Sequence, residues 1–360
     1  MAPERLTLMA VHAHPDDEVF GTGGVFARAA DEGMRTVLVC ATGGEEGEIR
    51  DPGRDTAEQR ALLAEIRAEE LRRSAGILGI EEVHFLGYRD SGMLGTPANN
   101  HPDTFLHADR KEATRRVVRL IREVHPDVLV TYDERGGYGH PDHVTAHQVT
   151  TAAVEAAADL ERYPELGLPV WSVPKFYNSA NPRSIWQWIG EQMRERGIAP
   201  EPEESDYDYA SFLTPDEVIT TRVDVTSYVP RKHAALMEHQ TQISQDDWLN
   251  SMPEDLMEAL LRTESFIRVR SAVPVPNPED DLFAGLRQYS GRITAIVTAA
   301  KPSRVQRSPV SPFWTVRPAA ASTESTGCCS APARRYAHPD TAHLRWSRQM
   351  RRETMPSSKQ

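Results

Sequence analysis

Cysteine is scarce in this 360-residue sequence: Cys40, Cys328 and Cys329 are the complete set. An odd number with two adjacent members builds no disulfide framework, and so few thiols fit a reducing compartment. No apolar run approaches the roughly 18–20 residues of a membrane helix, so a transmembrane protein is excluded. The segment from Met1 to Leu6 lacks the basic start, apolar stretch and small-residue cleavage site of a secretory signal. A cytoplasmic location is therefore expected. A serine-nucleophile elbow and a phosphate-binding P-loop are both missing. Internal repeats are missing as well.

What is present is an ordinary globular composition, 39% hydrophobic and 26% charged. At this length the chain buries a sizeable core without staples. The net charge of −12 is unevenly spread. From Lys301 onward eleven basic residues face three acidic ones, so the last 60 residues carry +8 and the first 300 carry −20. A body that acidic repels nucleic-acid phosphates, which leaves the main domain without a nucleic-acid partner. Beyond about Ala299, Pro, Ser, Arg and Ala dominate and apolar periodicity vanishes. Such a composition cannot offset the entropy of ordering, and residues 299–360 are expected to form a disordered basic tail.

Residues 6–13, 36–42, 81–87 and 127–133 are short runs rich in Val, Leu and Thr, bounded by Gly, Pro or Asp, and are predicted strands. Helical patterns fill 22–32, 56–78 and 108–125, and Pro141 is suited to open a fourth helix reaching about Leu160. Alternation of this kind implies βαβ units, hence an α/β fold with a Rossmann-like, mostly parallel sheet flanked by helices. One domain over 1–298 is expected, with a core at 6–180 and a less regular region at 181–298. Residues 181–216, with several prolines and an acidic cluster, resemble an insertion or lid-like loop; 218–225 and 265–270 are further strands and 227–242 a helix.

In parallel sheets ligands sit beyond the carboxyl ends of the strands, and there the informative residues lie. The first strand ends in His12-Ala13-His14-Pro15-Asp16-Asp17-Glu18, the fourth in Thr131-Tyr132-Asp133, followed by Gly137-Tyr138-Gly139-His140-Pro141-Asp142-His143. His14 and Asp17 offer an imidazole and a carboxylate suited to a first-row metal, and His143 is the natural third donor. Three protein ligands with a fourth position open to water is a catalytic pattern. His147, one helical turn on, is the rival to His143, whereas His12 fits a packed strand residue. Gly21, Gly23 and Gly24 suggest a dinucleotide loop, but Phe26 stands where the third glycine is required, and two carboxylates precede the run. The glycines serve better to bring a helix close to the sheet.

AHPDDE at 13–18 with GYGHPDH at 137–143 resembles the PIG-L (LmbE-like) zinc-dependent N-acetylglucosaminyl deacetylases, closest to the mycothiol-pathway deacetylase and amidase branch. GEEGEI at 44–49, Arg67 and RDSGM at 89–93 extend the likeness. The resemblance implies removal of an N-acetyl group from an amino sugar conjugate. His14, Asp17 and His143 would hold Zn²⁺, with Fe²⁺ or Co²⁺ also suited to the donors, and Asp16 would act as general base on the water. It further implies that His140, poised as imidazolium by Asp142, assists the oxyanion and protonates the departing amine, or else that Asp16 returns the proton itself. Tyr138 would be a mobile tyrosine at the oxyanion, and Arg67, Asp90 and Glu48 would contact substrate hydroxyls. Lys232, His233, His239 and Gln240 lie on a later helix, where relatives place residues near the aglycone. The chain departs from close relatives at Val19-Phe20-Gly21 and at Pro97, Asn99, Asn100 and His101, both expected beside the aglycone. Cleavage of mycothiol-like S-conjugates and silent sugar binding are the competing readings.

Overall fold

The computed structural model describes residues 5–198, 212–243 and 252–287. The basic tail expected at 299–360, the domain boundary before it and the acidic cluster at 201–208 lie outside the described residues. One seven-stranded sheet organises the rest, in the order β3-β2-β1-β4-β5-β7-β6. Its strands are β1 (Thr7–His12), β2 (Arg35–Thr42), β3 (Glu82–Tyr88), β4 (Val128–Thr131), β5 (Lys175–Ala180), β6 (Thr221–Asp224) and β7 (Thr263–Ser271). The first five run parallel, whereas β7 lies antiparallel between β5 and β6. The expected mostly parallel α/β fold is borne out.

Both faces of the sheet are covered, so its central strands are apolar throughout rather than alternating. Leu8 and Ala10 of β1 enter one core with Phe26, Leu71 and Leu78. Met9 and Val11, pointing the other way, enter a second with Val117, Ile121 and Val149. On the first face lie the helices α1 (Asp17–Asp31) and α3 (Leu63–Leu78), preceded by the short α2 (Ala57–Ala61). The second face carries α4 (Arg110–Val124) and α6 (Pro141–Ala157), with the distorted single turn α5 (Gly136–Gly139) between β4 and α6. The remaining α-helices among the described residues are α7 (Arg183–Glu195), α8 (Val229–Leu236) and α9 (Glu254–Leu261).

Two features depart from the sequence reading. Part of the supposed lid at 181–216 is the amphipathic helix α7, whose Ile189 and Met193 are buried. Strand β5 went unread because it opens on Lys175, a fully buried lysine paired with Glu279. The glycines of α1 do permit close approach, but to the residue after β6: a Cβ on Gly24 would lie 2.5 Å from Val225.

Strand order reverses at β1. The chain builds outward through β2 and β3, then returns to place β4 on the other side of β1. The crevice between the carboxyl ends of β1 and β4 is the topological switch point, where open α/β sheets bind ligands. Both histidine-rich loops end there.

Candidate metal centre and active site

The first loop leaves β1 through Ala13 and His14 and enters α1 at Asp17, so Asp17 and Glu18 occupy the positive first turn of a helix. The second leaves β4 at Tyr132 and Asp133. Asp133 Oδ1 accepts the N–H groups of Arg135 (3.2 Å) and Gly137 (2.8 Å), which folds the loop back on itself. Gly136 has φ +69°, and a Cβ there would lie 2.8 Å from His143 Cβ. Only glycine lets this turn pass so near the ring-bearing backbone. His140 then caps α6, its Nδ1 accepting the Asp142 N–H at 3.1 Å, with Pro141 at the first helical position.

The loops converge. His14 Nδ1 lies 3.2 Å from His143 Nε2 and 3.5 Å from Asp17 Oδ2, and His143 Nε2 lies 3.4 Å from Asp17 Oδ1. Ligand atoms about 2.0–2.2 Å from a tetrahedral cation stand roughly 3.3–3.6 Å apart, so the separations match a shared ion. Asp17 Oδ2 is already engaged, accepting the Tyr132 hydroxyl at 2.7 Å and the His14 N–H at 2.8 Å, which turns Oδ1 towards His143. Tyr132 OH in turn accepts the Ala13 N–H at 2.7 Å, and its ring stacks on His143 with centroids 4.1 Å apart. The far nitrogen of His14, Nε2, faces Asp142 at 3.2 Å and Asp90 at 3.5 Å. A carboxylate behind a ligand histidine fixes its tautomer and raises its basicity.

The electrostatics call for a cation. Burial alone would depress His14, yet Asp90, Asp142 and Asp17 hold it protonated well above the usual imidazole range. Burial and the neighbouring His14 charge push His143 down to about 4, despite Asp17. Asp17 stays well below the carboxylate range because His143 and His14 outweigh its burial. A proton on His14 thus occupies the place of positive charge, and metal uptake would release it. The donor set, two neutral imidazoles and one carboxylate, fits a divalent ion such as Zn²⁺.

Asp16 stands beside this group in a strained conformation, φ 106° and ψ −27°. Left-handed backbone at a non-glycine residue costs on the order of 1–3 kcal/mol and survives only where the surroundings enforce it. Here they do. Glu18 Oε2 accepts the Asp16 N–H at 2.9 Å, and Arg67 donates to Asp16 Oδ2 at 2.9 Å and to Pro15 O at 2.6 Å. Glu18 is itself fixed by Ser74 and by His239 Nε2 at 2.7 Å, both buried. Burial, partly offset by Arg67, raises the Asp16 carboxyl to about 6.

Arg67 and Asp90 lie against this group, whereas Glu48, His147 and His12 meet other partners. Arg67 is 3% exposed and spends its guanidinium on Asp16 and two carbonyls. Asp90 is buried behind His14, accepting the Gly92 N–H at 2.8 Å. Glu48 lies on the 44–49 loop, 3.4 Å from Arg50. His147 turns away to the Tyr132 carbonyl at 2.9 Å, and His12 Nε2 meets Thr22 at 2.9 Å.

The expected Asp142–His140 pairing needs correction. The Asp142 carboxylate accepts from Ser91 N and Oγ and faces His14, while only its backbone N–H meets His140. Burial, together with His14 and His143, pushes His140 down to about 3. His140 is a neutral ring with its proton on Nε2, one of whose nitrogens lies within 4.8 Å of the His14 and His143 donors. Tyr138 stands edge-on to His143, centroids 4.8 Å apart, at the mouth of a cavity of about 460 Å³. Sequence reasoning missed Tyr132, Ser91 and Glu18. Tyr132 follows a strand end and could have been suspected; the partners of Ser91 and Glu18 are too remote in sequence to be foreseen.

An open α/β sheet carries at its switch point a buried His/carboxylate group able to hold a metal ion. The matching family model, GlcNAc-PI de-N-acetylase (PIG-L), spans residues 9–154, and both loops fall within it. A 1D-myo-inositol 2-acetamido-2-deoxy-alpha-D-glucopyranoside deacetylase of Geodermatophilus obscurus is 43% identical over 294 residues, 79% of this chain and 99% of that one. A protein of Catenulispora acidiphila named as the same activity is 42% identical over 302 residues, 80% of this chain and 92% of that one. The chain belongs to the PIG-L family. In fold it is similar to N,N'-diacetylchitobiose deacetylase from Pyrococcus horikoshii, with TM-score 0.50, 21% identity, and coverage of 73% of this chain and 83% of that one.

Proposed function

We propose that this chain is a zinc-dependent hydrolase that removes the N-acetyl group from an N-acetylglucosaminyl conjugate of a cyclic polyol. The deacetylase activity named for the two relatives supports that substrate class, and so does the resemblance of both loops. The observation that carries the reading is the mutual spacing of His14, His143 and Asp17, with Asp16 clamped next to them.

When bound by His14, Asp17 and His143, zinc supplies Lewis acidity and makes water a nucleophile at neutral pH. Asp16, ionised above about 6, takes the proton of the attacking water. The carbonyl carbon gains the water oxygen, and negative charge grows on the carbonyl oxygen. The Nε2–H of neutral His140 and the Tyr138 hydroxyl, both at the same edge of the sheet, are the donors for that charge. Collapse breaks the C–N bond, leaving acetate and an amine. His140, accepting the Asp142 N–H and depressed to about 3, carries no proton to give away. Asp16 therefore returns the proton to the departing nitrogen, serving as base and then acid.

Amine release from N-acetylglucosaminyl-inositol by the purified full-length chain tests this. Release should stop on chelation and return with Zn²⁺, and Fe²⁺ and Co²⁺ replace it in parallel assays. Release indifferent to chelation, or none from any N-acetylglucosamine conjugate, would overturn the proposal. Faster cleavage of mycothiol S-conjugates than of acetylated sugar would move the reading to the amidase.

A further inference from the structure

The cavity at the mouth of the site is lined by Asp17, His143 and Tyr138 on one side, and on the other by the β5–α7 junction, β6 and the α9–β7 junction. Arg67, Asp90 and Glu48 do not line it. Its volume, about 460 Å³, suits a whole small-molecule ligand and far exceeds what a two-carbon acyl group requires. What fills it must therefore come from the amine side of the scissile bond.

The wall has a definite chemistry. Phe20, Ile185, Trp186 and Leu260 make it apolar. Among the polar groups that break that surface are Arg222 and Asn181. Arg222 is held along one edge, its NH2 donating to Asp216 Oδ1 at 3.0 Å, while Asp216 is itself fixed by Ser184 N and Oγ. The Nε and NH1 donors of Arg222 take no protein hydrogen bond among the described residues. Near the metal loop stands Asn181, whose backbone is pinned to Thr214 and whose side-chain amide faces Gly137 without a protein partner among the described residues. Asp216 neutralises the guanidinium and Lys232 neutralises Glu264, so this wall carries no net positive charge that would call for an anionic ligand. An indole with two fixed, unspent polar groups suits a neutral ring that is apolar on its C–H face and hydroxylated at its edge.

We propose that this cavity is the aglycone subsite, in which Trp186, Arg222 and Asn181 select a hydroxylated ring attached to the amino sugar. The inference rests on the deacetylase reading above.

The test compares two substrates on the zinc-loaded full chain: N-acetylglucosaminyl-inositol and N-acetylglucosamine, which has no aglycone. Trp186→Ala, Arg222→Met and Asn181→Ala should each raise KM for the conjugate roughly tenfold, the weight of a lost specific contact, with kcat little changed. The kcat/KM for N-acetylglucosamine should stay within about twofold. Equal losses on both substrates would make these residues merely structural and overturn the subsite. Unchanged KM for the conjugate would also overturn it and place the aglycone at the 44–49 loop. No amine from either substrate with the wild-type chain would sink the deacetylase reading itself, and the subsite with it.

Discussion

Replacing Arg67 by Met separates two roles for this residue that the sequence alone does not distinguish. The guanidinium lies 2.9 Å from Asp16 Oδ2 and is almost wholly buried, so its charge acts on the carboxylate with little screening. Burial raises Asp16 and Arg67 opposes that rise, the net position being about 6. An opposite charge at such range depresses a carboxyl by roughly 1–3 units. Its removal should therefore move Asp16 upward by about a unit or more. Asp16 must be ionised to accept a proton, so activity falls as pH drops through its pKa, and raising that pKa carries the loss to higher pH. If the limb moves from about 6 to about 7, the ionised share at pH 7 falls from roughly nine-tenths to half. The assay is kcat/KM for the acetylated conjugate from pH 5 to 9, for wild type, Arg67→Met and Arg67→Lys. The Lys variant restores the charge without the fork that also reaches Pro15 O and Gly44 O, and should recover part of the shift. An unmoved acid limb with a higher KM would refute the reasoning and place Arg67 on the sugar instead.

Four other outcomes are expected. Asp16→Ala should retain close to one equivalent of zinc while losing roughly 10²–10⁴ in kcat, the usual weight of a general base; loss of the metal would make it a ligand. His143→Ala should release the metal under mild chelation and His147→Ala should not, since His147 is turned to the Tyr132 carbonyl; metal analysis after dialysis decides. Asp142→Asn keeps the shape but removes the charge behind His14, and should weaken metal binding by about 10–100-fold in a competition titration. Deleting residues 301–360 should leave kcat/KM unchanged; a large loss would give the tail a part in the reaction.

The sequence disclosed what local chemistry can disclose. The proposed metal donors come in two short clusters, each directly after a buried apolar strand, so both the fold class and the loops could be read from neighbours along the chain. Strand β5 and helix α7 could not, because Lys175 reads as a solvent residue until Glu279, over a hundred positions later, is seen to neutralise it. The same limit governs roles. Arg67 and Asp90 were recognisable as site residues, but that one clamps Asp16 and the other backs His14 depends on contacts that only the folded chain creates. His140 looked like an imidazolium because an aspartate follows it two residues on; helix geometry sends that carboxylate to Ser91 instead.

Helix α1 ties the beginning of the chain to its end. The N–H groups of Gly24 and Val25 donate to Glu264 of β7, at 2.7 and 2.8 Å, and Glu264 pairs with buried Lys232 of α8. Glu18, which holds the Asp16 backbone, depends likewise on His239. A nascent chain that has emerged only through α6 already carries the three proposed donors for the cation, and Arg67 and Ser74 with them, but it lacks the His239 contact that completes the hold on Glu18. The backbone of Asp16 is thus set by a contact that spans 221 positions, from Glu18 to His239, so its full fixation needs the segment that follows α8.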